Sequence, residues 1–223
     1  MKGEICHISK KYGTNLVLGD ISFSFNAGEA IGIIGANGSG KSTLLRILAG
    51  VQKADSGRFL WNGTDLLSGT GSAVAYVPQG TPLIEELSAY DNLRLWYEKD
   101  ALKKSLHSGM LKELGVDEFL KKPAKSLSGG MRKRLSIGCA IANDPEIMLL
   151  DEPTTALDLV AKERLMDYFK SFVDGGGAII LVTHDTQELE YCARCHLLSK
   201  GTLSPLSNTD RHVIAKMLDR YEK

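Results

Sequence analysis

Residues 30–48 read Ala-Ile-Gly-Ile-Ile, then Gly35-Ala36-Asn37-Gly38-Ser39-Gly40-Lys41-Ser42-Thr43, then a helical run to Leu48, and no other stretch constrains the fold so tightly. The unbroken apolar run predicts a strand buried on both faces, as in a parallel sheet covered by helices. Glycines at 35, 38 and 40 let the following loop curl so that its backbone N–H groups converge. The helix opening at its end adds a positive terminus. Such a loop is a cradle for phosphate oxygens, with the Lys41 ammonium reaching the outer phosphates and the Ser42 hydroxyl placed to ligate Mg²⁺. A glycine-rich turn without chemical meaning would not need a Lys-Ser pair just there.

The rest of the chain supplies a sheet around that strand. Ile147 to Leu150 and Ala178 to Val182 repeat the buried-strand pattern with helical stretches between them, while Glu4 to Ser9 and Ile21 to Phe25 alternate like half-buried strands. Glu85 to Lys122 mixes Leu with Lys and Glu at helical spacing, lacks β-branched runs and stops at Pro123, which predicts a helical insertion. The fold class expected is α/β: a phosphate-loop NTPase core with a mostly parallel sheet, an N-terminal antiparallel β subdomain and an inserted α-helical subdomain. The whole of 1–223 is expected to form one domain. Residues 1–78 and 144–205 make the core with its β subdomain, 79–143 the helical subdomain, and 206–223 a short C-terminal helix.

Composition narrows partners and compartment. Lys plus Arg and Asp plus Glu number 27 each, so no net charge points to nucleic acid or an acidic lipid surface. Apolar runs fall short of the roughly 18 residues that a spanning helix needs, and the opening Met1-Lys2-Gly3-Glu4 leads into no signal-like region. Four cysteines, Cys6, Cys139, Cys192 and Cys195, are too few for a disulfide framework and are expected reduced, as small apolar residues. Cys192-Ala193-Arg194-Cys195-His196 has the spacing of a haem-attachment motif. Without an export signal or a second ligand pair, that reading and a zinc reading are set aside. The basic clusters at 103–104, 121–122 and 132–134 are read as solvated helix faces.

The strand Ile147 to Leu150 ends in Asp151-Glu152-Pro153, at the carboxyl edge where α/β sheets present ligand-binding groups. Neighbouring strand residues diverge, so two roles are expected: Asp151 toward Mg²⁺, and Glu152 polarising the water that attacks the γ-phosphate. Some twenty residues earlier stands Leu127-Ser128-Gly129-Gly130-Met131. Ser128 is a good N-cap there, and the two glycines leave backbone N–H groups open at a helix start aimed at an anion.

This last motif resembles the signature of the ABC ATPases, and further matches follow that family's order from about Ile5 to Ser204. The resemblance implies that Tyr12 stacks on adenine. It implies that Gln79, in Tyr76-Val77-Pro78-Gln79, contacts Mg²⁺ and the attacking water, and that His184, in Leu181-Val182-Thr183-His184-Asp185, hydrogen-bonds the γ-phosphate and steadies Glu152. Asp158 looks like the residue that communicates across a dimer, and it can equally be a helix N-cap. Ser128, Gly129 and Gly130 would bind the nucleotide held by a second subunit. Met131 departs from the family's usual glutamine, which removes a polar contact but leaves the serine and the backbone amides.

The family also implies ATP and Mg²⁺ as cofactors, a second ATPase subunit, identical or not, and membrane-spanning permease subunits. The expected function is the ATP-hydrolysing subunit of an ABC transporter, cytoplasmic and peripheral on the inner face of the membrane. The short tail after Ser204 leaves no room for the sizeable regulatory domain that some importers append, and the single-unit architecture resembles bacterial export ATPases, so an exporter driven by ATP-dependent dimerisation is expected. A soluble accessory ABC ATPase, for example in iron–sulfur assembly, is the alternative.

Overall fold

The computed structural model describes residues 1–68, 73–155 and 157–206. β1 (Lys2–Tyr12) and β2 (Asn15–Asn26) form an antiparallel hairpin that turns at Gly13, whose φ of +59° suits a residue without Cβ. After β3 (Ala30–Ile34) and α1 (Lys41–Leu48), the chain returns to this sheet with β4 (Ser56–Trp61) and β5 (Thr64–Asp65), giving the order β2-β1-β4-β5. β1 is longer than the alternation of Glu4 to Ser9 suggests. The alternation breaks because a bulge lies between Ile5 and Ile8, both buried, with His7 at φ +55° taking up the extra residue.

β6 (Val74–Val77) enters the second sheet. α2 (Ala89–Arg94), α3 (Lys99–Ser108), α4 (Met110–Glu113) and α5 (Gly129–Ala140) then follow in succession, with two 3₁₀ turns ahead of α5. The remainder is β7 (Ile147–Asp151), α6 (Leu159–Asp174), β8 (Ala178–Val182), α7 (Thr186–Glu190), β9 (Arg194–Ser199) and β10 (Thr202–Leu206). The second sheet runs β10-β9-β3-β8-β7-β6, parallel except for β10. This is the α/β class expected from the sequence. β9 starts at Arg194, so Cys195 and His196 of the C-x-x-C-H stretch are sheet residues, both buried. The helix expected over 206–223 lies outside the described residues, except Leu206, which ends β10.

Every residue of β3, β7 and β8 is buried, and the alternation along them divides two cores. Ile147, Leu149, Ile180 and Val182 face the layer containing Phe25, Phe59 and α1, while Met148, Leu150, Ile179 and Leu181 face α6 and the helical insertion. Each aliphatic side chain so buried contributes roughly 1.5–3 kcal/mol, so these strands form a stiff platform. Because they are parallel, the segments following β3, β7, β8 and β6 all emerge at one edge of the sheet.

Candidate functional site

The loop after β3 folds as its glycines require. A Cβ on Gly35 would lie 2.3 Å from the Leu198 carbonyl oxygen and 2.7 Å from Ser39 Oγ, so only glycine lets the loop leave the sheet here. Gly40, at φ +106°, caps α1, which therefore begins at Lys41, ahead of the helical run expected from Thr43. Lys41 is buried, and its ammonium donates to the Gly35 carbonyl at 2.6 Å and the Ala36 carbonyl at 3.0 Å. Burial lowers its pKa, with Glu152 and Asp151 opposing the shift.

Three other strand ends converge on this loop. Asp151 ends β7 and is buried. Glu152 follows at φ +51°, a left-handed backbone that costs a non-glycine residue roughly 1–2 kcal/mol, and its N–H donates to the Val182 carbonyl at 2.9 Å. His184 follows β8, with Nε2 3.3 Å from Glu152 Oε1. The turn that carries it is pinned on its far side: Asp185 N–H donates to Thr183 Oγ1 at 2.9 Å, and the Asp185 carboxylate caps α7 and pairs with Lys162. Gln79 comes two residues after β6. Tyr12 closes β1, with its hydroxyl accepting from Gln52 Nε2 at 2.5 Å and the Lys10 ammonium 5.7 Å from its ring centroid.

Together Tyr12, Asn37, Gly38, Gly40, Lys41, Ser42, Thr43, Gln79, Asp151, Glu152 and His184 line one open cavity of 540 Å³. That volume falls in the usual range for small-molecule sites, roughly 300–1,000 Å³. Gly35 and Ser39 are not part of this lining. Ser128, Gly129 and Gly130 are not part of this lining. They open α5, where Ser128 Oγ accepts from the Met131 N–H at 3.3 Å, and Ser128 and Gly129 are exposed. The Met131 side chain, partly buried, packs on the core beneath the helical insertion. Asp158 caps α6, accepting from the Ala161 N–H at 2.8 Å.

The sequence pattern of one family, described as "ABC transporter", matches residues 18–155, which is more than half of the chain. The chain belongs to the ABC transporter family. It is 36% identical over 91% of its length to the spermidine/putrescine import ATP-binding protein of Protochlamydia amoebophila. It is 31% identical over 88% to the linearmycin resistance ATP-binding protein of Bacillus subtilis. The matches span 56% and 66% of those two relatives, so the chain falls short of two thirds of either length. Among solved structures, a dimeric ATP-binding cassette in a post-hydrolysis state bound to ADP and phosphate aligns with a TM-score of 0.80 and 27% identity, over 92% of this chain and 99% of that one.

The cavity of this ABC-family chain fits a nucleotide with its metal. Asn37, Gly38 and Gly40 present the loop to the cavity and Lys41, Ser42 and Thr43 open α1 there, so backbone N–H groups at a helix start face the space that phosphate oxygens would fill. Among the described residues, no group of three or more His, Cys, Asp or Glu could hold a metal alone. Ser42, Gln79 and Asp151 bring a hydroxyl, an amide and one carboxylate to the cavity, hard oxygen donors of the kind that suit Mg²⁺ beside phosphates. Burial pushes the Glu152 carboxyl up to about 7, reinforced by the nearby Glu188 carboxylate and opposed by Lys41.

Three polar residues near the site were not singled out from the sequence. Arg46 lines the cavity from α1, four residues after Ser42, so helical spacing alone puts it on the same face. Glu188 on α7 is buried and hydrogen-bonded to Thr154, two residues beyond Glu152. Lys133 corrects the expectation that the cluster at 132–134 is solvated: it is only 2% exposed. The signal was present, since Lys133 stands four residues before buried Ile137 on α5, hence on its inner face. Lys103, Lys104, Lys121 and Lys122 are exposed as expected.

Proposed function

We propose that this chain is a Mg²⁺-dependent ATPase, the ATP-binding subunit of an ABC transporter. The observation that supports it most is the convergence of Lys41, Asp151, Glu152, His184 and Gln79 on one cavity at the end of a parallel sheet. In this reading the loop from Gly35 to Gly40 wraps the phosphates and Lys41 turns from its loop carbonyls to the outer ones. Tyr12 offers its ring to adenine. Ser42, Asp151 and Gln79 hold Mg²⁺, which when bound offsets phosphate charge in the transition state. Glu152 orients and polarises the attacking water, and His184, within reach of its carboxylate, holds that geometry and contacts the γ-phosphate.

The site is half of a larger one. Ser128, Gly129 and Gly130 face outward from a helix N-terminus and suit the γ-phosphate of a nucleotide held by a second ATPase subunit, an arrangement supported by the dimeric cassette of similar fold. Residues 1–78 and 144–205 act as the nucleotide-binding core with its β subdomain, and 79–143 as the helical subdomain that carries motion to membrane-spanning permease subunits. The subunit sits in the cytoplasm against the inner face of the membrane; among the described residues, no helix is long and apolar enough to cross it. Export is the direction proposed from the single-unit architecture; the likeness to an import protein and to a resistance protein supports transport without deciding its direction.

The test is purification of Glu152→Gln protein from its native membranes with ATP and Mg²⁺, followed by identification of what accompanies it. A multi-spanning membrane protein is expected, and its own chemistry tests export against import. Recovery of soluble partners alone would overturn the transporter reading in favour of an accessory ATPase.

A further inference from the structure

Lys133 has no part in the chemistry proposed above, yet its setting is unusual for a lysine. It lies five residues after Ser128 on α5, 2% exposed, and its ammonium donates to the Pro78 carbonyl at 2.9 Å and the Gln79 carbonyl at 3.4 Å. Lysine is almost never fully buried without partners, because its charge loses water on the way in. Here burial pushes its pKa down to about 8, and the Asp151, Glu152 and Glu188 carboxylates offset part of that cost. An apolar residue at this inward position would pack without the penalty.

What the lysine supplies is clear from the segment it touches. Between β6 and α2 the chain forms no helix or strand, and its end is bridged at Ser88 to Pro123, with the Lys125 and Ala124 N–H groups donating to the Glu85 and Leu87 carbonyls. Its later part is held by Asn92, which accepts from the Ile84 N–H and donates to the Ile84 and Ser88 carbonyls. Its first residues, Pro78 and Gln79, are held by Lys133. The adjacent Arg132 continues the attachment, with Nη2 2.8 Å from Glu85 Oε1 and Nε 3.4 Å from Thr81 Oγ1. Two consecutive cations of α5 thus grip the stretch that begins with a cavity-lining glutamine.

We propose that Lys133 is a positioning residue that ties the backbone at Gln79 to α5, so that the glutamine facing the cavity and the outward N-terminus at Ser128 move as one body. The functional half of the inference rests on the ATPase reading.

Lys133→Met and Lys133→Arg in the full chain test it, read by amide hydrogen exchange and by steady-state ATP hydrolysis. With Met, exchange over residues 79–87 is expected to rise about tenfold, the size expected for loss of a charged hydrogen bond. The kcat should fall about tenfold with KM for ATP changed less than about twofold. Arg, which keeps the donors, should restore both. Exchange that is unchanged over 79–87, or that rises equally in the strand 147–150, overturns the tie; the second result would mark Lys133 as a general packing residue. Should the Met variant fail to fold, Lys133→Leu, which also lacks a donor, is read by the same comparison with Arg. A parent chain that hydrolyses no ATP sinks the ATPase reading, while the exchange measurement still supports or overturns the tie.

Discussion

The two glycine-rich helix starts of this chain differ in everything except their glycines. The loop before α1 is anchored at both ends while its tip at Asn37 and Gly38 is exposed: Gly35 touches the Leu198 backbone, Lys41 is buried, and three strand ends bring carboxylates, an imidazole and an amide to face it. The start of α5 is open, with Ser128 and Gly129 exposed and neither of them part of the cavity's lining. The same backbone device therefore makes a site in one place and only a face in the other. Its partner groups come from this chain's own sheet in the first case, and in our reading from a second subunit in the other.

The largest test of that contrast is Glu152→Gln. Losing the carboxylate that orients water is expected to lower turnover by about 10²–10⁴-fold, while ATP binding survives because the phosphate contacts come from the loop. Trapped ATP should then accumulate a dimer, visible by size-exclusion chromatography with ATP and absent with ADP. A variant that hydrolyses ATP at the parent's rate would remove Glu152 from the chemistry and reduce the inner site to a binding pocket.

Lys41→Ala and Ser128→Ala separate the two faces by binding and turnover. Lys41 donates charge-assisted hydrogen bonds, so its loss should weaken ATP affinity by about 10–100-fold in nucleotide titrations. Ser128→Ala removes a helix cap worth about 1 kcal/mol. It should leave single-subunit ATP affinity alone and lower turnover about fivefold, since the affected face meets only the other subunit's nucleotide. Equal losses of ATP affinity in both variants would mean that α5 reaches this chain's own cavity, and the contrast would fail.

How far each region could be read from sequence follows from the range of the interactions that build it. β3, β7 and β8 were legible because burial on both faces writes an unbroken apolar run, and the loop after β3 because its chemistry requires fixed residue types at fixed spacing. The bulge at His7 was not, since it depends on how β1 pairs with β2 and β4. Lys133 was misread for a related reason. A charge run looks solvated until the helix phase is followed to Ile137, and the carbonyls that receive its ammonium lie 54 and 55 residues away in the chain. Glu188 was missed because Thr154, its partner, belongs to another strand's end.

The smallest effect expected is at Met131, and its size depends on which way that side chain faces. The family's usual glutamine would put a polar group at the third residue of α5, on the face proposed to meet the second subunit. The methionine instead packs partly buried on the core beneath the insertion, and the residue's N–H is already taken by Ser128 Oγ. Its contribution is therefore mainly apolar packing, and an exchange for glutamine loses part of that burial, about 1 kcal/mol, while offering one new polar contact. Met131→Gln should lower the melting temperature by a few degrees, about 2–4 °C for a chain of this size, and change turnover by less than about threefold. Turnover raised by more than tenfold would show that the helix start had been held short of full activity by this one side chain. The outward face would then be tuned at Met131 as well as at Ser128.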